Sequence, residues 1–323
     1  MHHVSLITLV GIMLLVASPT SHASKLYQYK DDNGRIHFSD TPPPGNREAK
    51  VSQLDFDEAK PLLHVVKSGT RNNPEYVVTN SAYGPIQLSY ELSSQSNTRA
   101  TPSSSSTLVV PGGKTVKMLA LSPVDPQRSW SYQLKYSYVP GSPDVTHDQD
   151  ALYLPPFAPG KAFAVSQAFN GSFSHNKPHS QYAVDFSMPE GTPIHASRGG
   201  VVMSVEQNFY KGGTDIARFG PDANMIRILH SDGTMGVYAH LQVDSVAVTP
   251  GKSVKAAQFI ARSGNTGFST GPHLHFVVQK NTGMDVGSVP IQFMTADGSR
   301  KTPALGMMMR APDSGLQAES AYR

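Results

Sequence analysis

Much of the chain alternates apolar and polar positions with a period of two, which is the pattern of strands that are buried on one side only. Clear examples of this alternation are found at residues 86–92, 132–138 and 274–278. Glycine and proline, which account for 27 and 25 of the 323 residues, divide the pattern into short segments. The sequence therefore predicts an all-β protein.

The first residues have a different pattern, because residues 4–17 form an uninterrupted apolar run of 14 residues. This run is too short to span a bilayer comfortably as a helix. The small-x-small sequence Ser21-His22-Ala23 follows it, so we expect a secretory signal peptide at residues 1–23. His2 and His3 stand where such signals usually carry Lys or Arg, which leaves an uncleaved anchor as the alternative. No other segment is apolar enough to cross a membrane, so we expect an exported mature protein without a membrane span.

The remaining pattern divides into units separated by turn-rich segments. An Asn33-Gly34 turn signal lies between two short apolar runs and predicts a hairpin. The Ser/Thr-rich stretch 93–107 is predicted to be a loop inside a β-rich unit of sandwich type. The predicted units are a small N-terminal hairpin domain at 24–45, a β-rich accessory domain at 60–143, a linker at 144–160, a compact antiparallel β domain at 161–292 and a partly disordered tail at 293–323.

The composition limits the chemistry that the chain can perform. Cysteine is absent, which excludes disulfides, thiolate metal sites and a cysteine nucleophile, and leaves 13 histidines as the main supply of metal ligands. The formal net charge of +3 is too small to indicate a nucleic-acid partner. Any metal site is therefore expected to consist of histidine and carboxylate ligands.

The strand at residues 273–278 carries the most distinctive polar pair. His273 and His275 alternate with Leu274, Phe276 and Val278, so both imidazoles point to the same face of the strand. Their positions along the strand differ by about 7 Å, which lets one imidazole bind a metal while the other reaches the water on that metal.

Several further side chains are candidates for the same site. Asp185 lies in the apolar run 182–186, where an acid is out of place unless it is paired or bound to a metal. His175 and His179 precede it in a loop, and His240 ends another strand. Two histidines and one carboxylate leave a fourth position for water on zinc, and zinc lowers the pKa of that water from about 15.7 toward about 7. The spacing does not decide which of these side chains converge.

Four motifs follow one another along the chain, namely Ser174-His175, the stretch from Tyr182 to Pro193, Tyr238-Ala239-His240-Leu241, and the stretch from Ser263 to Phe276. Their order resembles that of the lysostaphin-type (LytM-like) zinc endopeptidases. The resemblance runs from Ala168 to Asn281 and implies a compact antiparallel β domain with zinc in a groove. Residues 24–45 resemble a small domain of unknown function that follows the signal peptide in many secreted Gram-negative proteins.

The resemblance also implies a role for each matching residue. His175, Asp185 and His275 would be the zinc ligands, and His240 and His273 would activate water and stabilise the transition state. The position four residues before the acid, where the family usually has its first ligand, is Gln181 in this chain. His179 therefore remains the alternative to His175.

We expect from this resemblance a monomeric, zinc-dependent endopeptidase that hydrolyses the peptide cross-links of peptidoglycan in the periplasm or outside the cell. The alternative is a catalytically silent wall-binding protein that activates another hydrolase. His230 is expected to play a supporting or structural role, and His195 and His37 are expected to be ordinary packing or surface residues.

Overall fold

A computed structural model describes residues 23–32, 36–39, 41–45, 47–55, 61–220 and 222–313. Within these ranges the chain forms 25 strands and one four-residue helix, which confirms the all-β prediction. The predicted signal peptide up to residue 22 and the predicted Asn33-Gly34 turn lie outside the described residues. No helix within these ranges has the length and apolar character needed to cross a membrane.

The N-terminal unit is a three-stranded antiparallel sheet in the order β2-β1-β3. Its strands are β1 (Ala23–Lys30), β2 (Ile36–Ser39) and β3 (Ala49–Asp55). The pairing of β1 with β2 is the predicted hairpin. The third strand lies beyond the predicted boundary at residue 45 and pairs with the other side of β1.

The accessory sandwich, residues 61–143, packs two small sheets face to face. Its strands are β4 (Leu63–Gly69), β5 (Pro74–Asn80), β6 (Ile86–Ser96), β7 (Thr98–Thr101), β8 (Ser105–Val110), β9 (Thr115–Pro123) and β10 (Ser131–Pro140). One sheet has the order β4-β5-β9-β7 and the other β10-β6-β8. Their facing sides bury a shared apolar core that includes Val78, Leu88 and Leu119.

The predicted loop over residues 93–107 was wrong, because most of this stretch belongs to β6, β7 and β8. Its Ser and Thr residues occupy mainly exposed or half-exposed positions in these strands. Serine and threonine therefore occupy the solvent-facing side of the strands here. Because the stretch contains few apolar residues, its sequence shows no clear period of two.

The C-terminal unit is dominated by one large antiparallel sheet. Its elements are β11 (Ala162–Gln167), β12 (Val184–Ser187), β13 (Pro193–His195), β14 (Gly200–Glu206), β15 (Gly212–Gly213), α1 (Ile216–Phe219), β16 (Met225–Leu229), β17 (Met235–Ala239), β18 (Ser253–Val254), β19 (Phe259–Arg262), β20 (Gly267–Phe268), β21 (His273–Asn281), β22 (Val286–Ser288), β23 (Phe293–Met294), β24 (Arg300–Lys301) and β25 (Met308–Arg310). The large sheet has the order β18-β14-β16-β17-β21-β12-β11-β25, and β22 also pairs with β21.

The two faces of this sheet serve different purposes. One face buries Phe186, Tyr238 and Phe276, together with Leu274 between the two histidines, in the main apolar core. His275 alternates with these core residues along β21 and therefore points to the opposite face. Burial of one face thus fixes the register that presents the candidate chemistry on the other.

The core extends past both predicted boundaries of this unit. Tyr153 and Phe157, in the predicted linker, are fully buried in it. Met309, in the predicted tail, is buried between the exposed Met308 and Arg310, and β25 pairs with β11. A single buried residue in a three-residue strand leaves no detectable period, so the sequence pattern did not reveal this strand.

The accessory sandwich and the C-terminal unit share a packed boundary. Met203 and Met235 of the large sheet belong to the apolar core of the sandwich. The Asn281 side chain also donates a hydrogen bond of 2.9 Å to the Gln87 side chain. The sandwich therefore packs directly against the large sheet.

A buried ion pair holds the segment around residue 153 to the turn after β16. Nη1 of Arg198 donates to Oδ2 of Asp232 at 2.9 Å and to the hydroxyl of Tyr153 at 3.1 Å. Burial by itself would raise the pKa of Asp232, but the nearby His147 and the hydrogen bonds from Thr234 and Arg198 lower it below its ordinary value. The carboxylate is therefore charged in the folded state and stabilises it.

We expect Asp232→Asn to lower the free energy of unfolding at pH 7 by about 3 kcal/mol, because it leaves the Arg198 cation buried and unpaired. Because the pKa of Asp232 is lowered on folding, its contribution is complete above about pH 4 and is lost as the pH falls. The difference between variant and wild type should therefore narrow by about 1.4 kcal/mol for each pH unit below about 4. Urea unfolding at pH 7 and at acidic pH measures both effects.

Asp313→Asn is the matched control, because Asp313 forms an exposed ion pair with Arg310 at 2.8 Å. That substitution should change the free energy of unfolding by less than about 1 kcal/mol. An Asp232→Asn effect as small as that of the control, or one that does not depend on pH, would contradict this account.

Candidate metal centre

A carboxylate and two imidazoles converge on the face of the large sheet opposite the main apolar core. The antiparallel pairing of β12 with β21 sets Asp185 directly opposite His275. Nδ1 of His275 lies 2.9 Å from Oδ1 of Asp185, and Nε2 of His175 lies 3.2 Å from Oδ2. One potential ligand atom from each of the three residues lies within 4.8 Å of the other two. This spacing allows all three to bind a single ion.

The orientation of His175 fits a bound cation. Its Nδ1–H donates to the carbonyl oxygen of Ala168 at 3.0 Å, so Nε2 is left as a lone pair. His175 is fully buried, and this Nε2 has no hydrogen-bond partner among the described residues. A buried lone pair that faces a carboxylate is unfavourable unless a cation lies between them, so the donor set fits a divalent metal.

Asp185 stays ionised despite its burial. Burial by itself would raise the pKa of Asp185, but the side-chain contacts with His175 and His275 and the proximity of the His273 ring hold it well below its ordinary value. The side-chain amide of Gln167, opposite Asp185 on β11, donates to Oδ2 at 2.9 Å. The same amide contacts the hydroxyl of Ser174 at 2.7 Å, and so links the carboxylate to the loop that carries His175.

A second pair of imidazoles lies beside this group. The rings of His240 and His273 have centroids 4.6 Å apart, and the His240 ring lies 5.8 Å from that of His275. Nε2 of His273 is 3.9 Å from Oδ1 of Asp185. His240 has a backbone φ of 61°, in the left-handed region that few non-glycine residues adopt. His240 adopts this conformation directly after β17, and its ring lies beside that of His273.

Backbone carbonyls hold both of these imidazoles in one tautomer. Nδ1–H of His240 donates to the carbonyl oxygen of Thr266 at 2.7 Å, and Nδ1–H of His273 donates to that of Gly271 at 2.8 Å. Burial lowers the pKa of His240 to about 3, with further lowering by His273 and His275, and burial also lowers the pKa of His273. Both rings are therefore neutral at pH 7 with Nε2 as an acceptor.

A buried polar network fixes the loop that holds His240. The hydroxyl of Thr266 donates to the carbonyl oxygen of Leu241 at 2.9 Å and accepts from the backbone N–H of Asn224 at 3.1 Å. Gly264 in the same loop lies so close to the chain that an added Cβ would be 2.5 Å from the backbone nitrogen of Gln242. A side chain at residue 264 would push the loop away from β17.

A cavity of about 310 Å³ adjoins this loop. Its lining includes Gln242, Asn265 and Thr266, and Phe38 of the N-terminal unit. The carbonyl oxygen of Thr266 holds His240, so the cavity is close to the candidate centre.

The structure brings together five of the residues singled out in the sequence: His175, Asp185, His240, His273 and His275. His179 is exposed and lies outside the group of three potential ligands.

The other histidines lie elsewhere in the fold. His230 is buried against the ring of Tyr153 and contacts the carbonyl oxygen of Gly199 at 2.8 Å. His195 contacts the carbonyl oxygen of Ala257 at 2.7 Å. His37 belongs to β2, and its side chain lies outside the described part of the chain.

The sequence analysis missed three supporting residues, namely Gln167, Asn224 and Thr266. Gln167 ends an ordinary strand, and no feature of its neighbours marks its contact with Asp185. Asn224 is a fully buried amide just before β16, and Thr266 lies in the Gly-rich turn before β20. Only the three-dimensional structure shows that Gln167 contacts Asp185 and that Asn224 and Thr266 hold the loop whose carbonyl oxygen accepts from His240.

Two family models match the chain. Residues 179–286 match the model described as peptidase family M23, and residues 13–58 match a domain of unknown function, DUF4124. The second match agrees with the predicted small N-terminal domain.

The chain is also similar to individual proteins. It is 32% identical over 174 residues to lysostaphin of Staphylococcus staphylolyticus, which covers 53% of this chain and 32% of that protein. It is 38% identical over 99 residues to the peptidoglycan DD-endopeptidase ShyA of Vibrio cholerae, covering 31% of this chain and 20% of that protein. The chain thus spans about a third or less of the length of these curated relatives.

Among solved structures, the catalytic domain of lysostaphin from Staphylococcus simulans is 31% identical, with a TM-score of 0.28, and the match covers 38% of this chain and 80% of that domain. The ordered motifs, the group of His175, Asp185 and His275, and the family match all fall in the C-terminal unit. The chain belongs to peptidase family M23, a family of hydrolases.

Proposed function

We propose that this protein is a zinc-dependent endopeptidase that hydrolyses the peptide cross-links of bacterial peptidoglycan. The observation that carries the proposal is the group of His175, Asp185 and His275, whose ligand atoms lie within 4.8 Å of one another. The buried Nε2 of His175, which has no hydrogen-bond partner in the described structure, supports a cation at this position. Membership of the family and the names of the relatives support hydrolysis of peptide bonds in the cell wall.

The ligand roles follow from the chemistry of the three residues. His175, Asp185 and His275 would hold the metal through two nitrogen atoms and one oxygen atom, a donor set that suits zinc and leaves a position for water. Zinc, when bound, polarises a carbonyl group and makes a water molecule acidic at neutral pH. Gln167 keeps the Asp185 carboxylate in place through its hydrogen bond of 2.9 Å.

His240 and His273 would handle the proton. Each has its Nδ1–H engaged by a backbone carbonyl, so each offers an unprotonated Nε2 toward the space beside Asp185. One of the two accepts a proton from the attacking water as a general base. The resulting N–H can then donate to the oxyanion that develops on the substrate carbonyl.

The location of the substrate gives the location of the protein. Peptidoglycan lies outside the cytoplasmic membrane, and the predicted signal peptide at residues 1–23 provides a route there. We therefore propose an exported, monomeric protein of the periplasm or cell exterior.

The substitutions His273→Ala and His275→Ala separate proton transfer from metal binding. We expect His273→Ala to lower kcat by about 10²- to 10⁴-fold with unchanged zinc content, because it removes only a proton acceptor. We expect His275→Ala to lose zinc as well, because it removes a ligand. Release of soluble muropeptides from purified sacculi measures activity, and elemental analysis after dialysis measures zinc.

Wild-type protein that retains zinc but releases no muropeptides would contradict the endopeptidase. Suppose that wild-type protein does not bind zinc and does not release fragments, but stimulates a second wall hydrolase. That result would favour the alternative, a catalytically silent activator. Equal zinc retention in both variants would show that the roles of His273 and His275 are wrongly assigned.

The pair His175→Ala and His179→Ala tests the identity of the first ligand. His175 is buried in the group, whereas His179 is exposed and outside it. Loss of a residue that only hydrogen-bonds a metal ligand weakens metal binding by about 10- to 100-fold. We expect His175→Ala to weaken zinc binding by more than this, and His179→Ala to leave zinc binding unchanged. Competition with a chromogenic chelator measures both affinities, and the reverse result would assign the ligand to His179.

A further inference from the structure

Arg227 carries a positive charge on the face of the sheet that bears the candidate metal centre. In the register of the large sheet, Arg227 on β16 lies opposite Val237 on β17, and Val237 lies opposite Val277 on β21. His275 is the next residue of β21 that points to this side. Arg227 and His275 therefore lie on the same face of the sheet, two strands apart. His275 is two residues along β21 from Val277, the residue that aligns with Arg227.

The Arg227 side chain extends across the sheet toward β21. Its Nη1 donates to Oε1 of Gln279 at 2.8 Å and lies 4.0 Å from the sulfur of Met235. The Gln279 amide in turn donates to the carbonyl oxygen of His179, in the loop that carries His175. The guanidinium therefore lies between the candidate centre and the boundary with the accessory sandwich.

Arg227 has no acidic partner in the part of the chain that the structure describes. Arg198, Arg300 and Arg310 each lie within 4.0 Å of an aspartate, whereas Arg227 has no such neighbour among the described residues. Its one strong hydrogen bond is to a neutral amide oxygen, although a guanidinium offers five N–H donors. Burial lowers the pKa of Arg227 to about 10, so a cation is held here at a cost in desolvation.

No hydrogen bond of the Arg227 side chain crosses the domain boundary in the described part of the chain. The boundary is formed instead by Met203 and Met235 and by the Asn281 to Gln87 hydrogen bond. An arginine with one strong hydrogen bond and no acid beside it among the described residues matches a planar carboxylate that arrives with a ligand.

We propose that Arg227 is a substrate-binding residue that takes up a free carboxylate of the peptide whose cross-link is cut. This proposal rests on the proposed function. Residues 277 and 279 of β21 lie about 7 to 13 Å along the strand from His275. An extended peptide advances about 3.5 Å per residue, so the carboxylate would lie about two to four residues from the scissile bond. Arg227 would favour a peptide with a free carboxylate at such a distance over its carboxamide counterpart.

The test compares two synthetic cross-linked peptide dimers, one with free carboxylates and one with every carboxylate converted to carboxamide. We expect wild-type protein to cleave the first with a kcat/KM about 10- to 100-fold higher. In Arg227→Met this preference should disappear through a higher KM for the carboxylate substrate, with kcat and zinc content unchanged. Arg227→Lys should retain part of the preference, because it keeps the charge but loses the planar fork.

Arg128→Met is the matched control, because it removes the same charge from an exposed position of the accessory sandwich. It should leave the preference intact. Thermal unfolding provides the second readout, since Arg227→Met removes an unpaired desolvated charge and should not lower Tm. An equal fall in kcat/KM for both substrates together with a lower Tm would show a structural role and overturn the proposal.

Equilibrium binding keeps this proposal separable from the proposed function. The two peptides are titrated into wild-type and Arg227→Met protein, and Kd is measured whether or not turnover occurs. A carboxylate preference that depends on Arg227 in a protein that does not cleave would support the binding role and reject the endopeptidase. Cleavage by wild-type protein with no difference in Kd or KM between the two peptides would reject the role of Arg227 and leave the endopeptidase standing.

Discussion

The structure of the candidate centre depends on one buried carboxylate, Asp185, held by the pairing of β12 with β21. A carboxylate in an apolar strand is costly unless positive or polar groups surround it. Here His175 and His275 approach its two oxygen atoms, and Gln167 donates a further hydrogen bond. The loop that carries His175 and the strands β21 and β11 bring these three partners to one carboxylate.

The large sheet achieves this by dividing its two faces between stability and chemistry. Phe186, Leu274 and Phe276 alternate with Asp185 and His275, and burial of the first set fixes the register of the second. A one-residue slip would expose the aromatic core and bury the histidines. The stability of the fold and the position of the centre therefore rely on the same strand pairing.

Backbone carbonyl groups provide the second level of order. Ala168, Thr266 and Gly271 each accept the Nδ1–H of one histidine, and so direct Nε2 of that ring inward. This arrangement determines the tautomer without any further charged side chain. The positions of these rings therefore depend on the positions of loop carbonyl groups. The buried Asn224 and the tightly packed Gly264 hold the loop that contains Thr266 in place.

The accessory sandwich packs on the same face of the sheet that bears the candidate centre. Met235 lies in the core of the sandwich and shares that face with Val237 and Ala239, the latter opposite His275. Arg227 lies between the two regions and contacts Met235 and Gln279. A ligand that extends from the centre along β21 toward residue 279 therefore meets a cation before it meets the sandwich.

The sequence by itself determined the all-β class, the common face of His273 and His275, and the conspicuous position of Asp185, because a period of two and an acid in an apolar run are local signals. It left His175 and His179 as alternatives, and only the fold showed which of them lies beside the carboxylate, since loop closure depends on distant contacts. Tertiary structure likewise determined the contact of Gln167 with Asp185, the contact of Arg227 with Gln279 and the pairing of the short strand β25 with β11. Each depends on a partner far away in the chain, and the sequence carries no local record of such a partner.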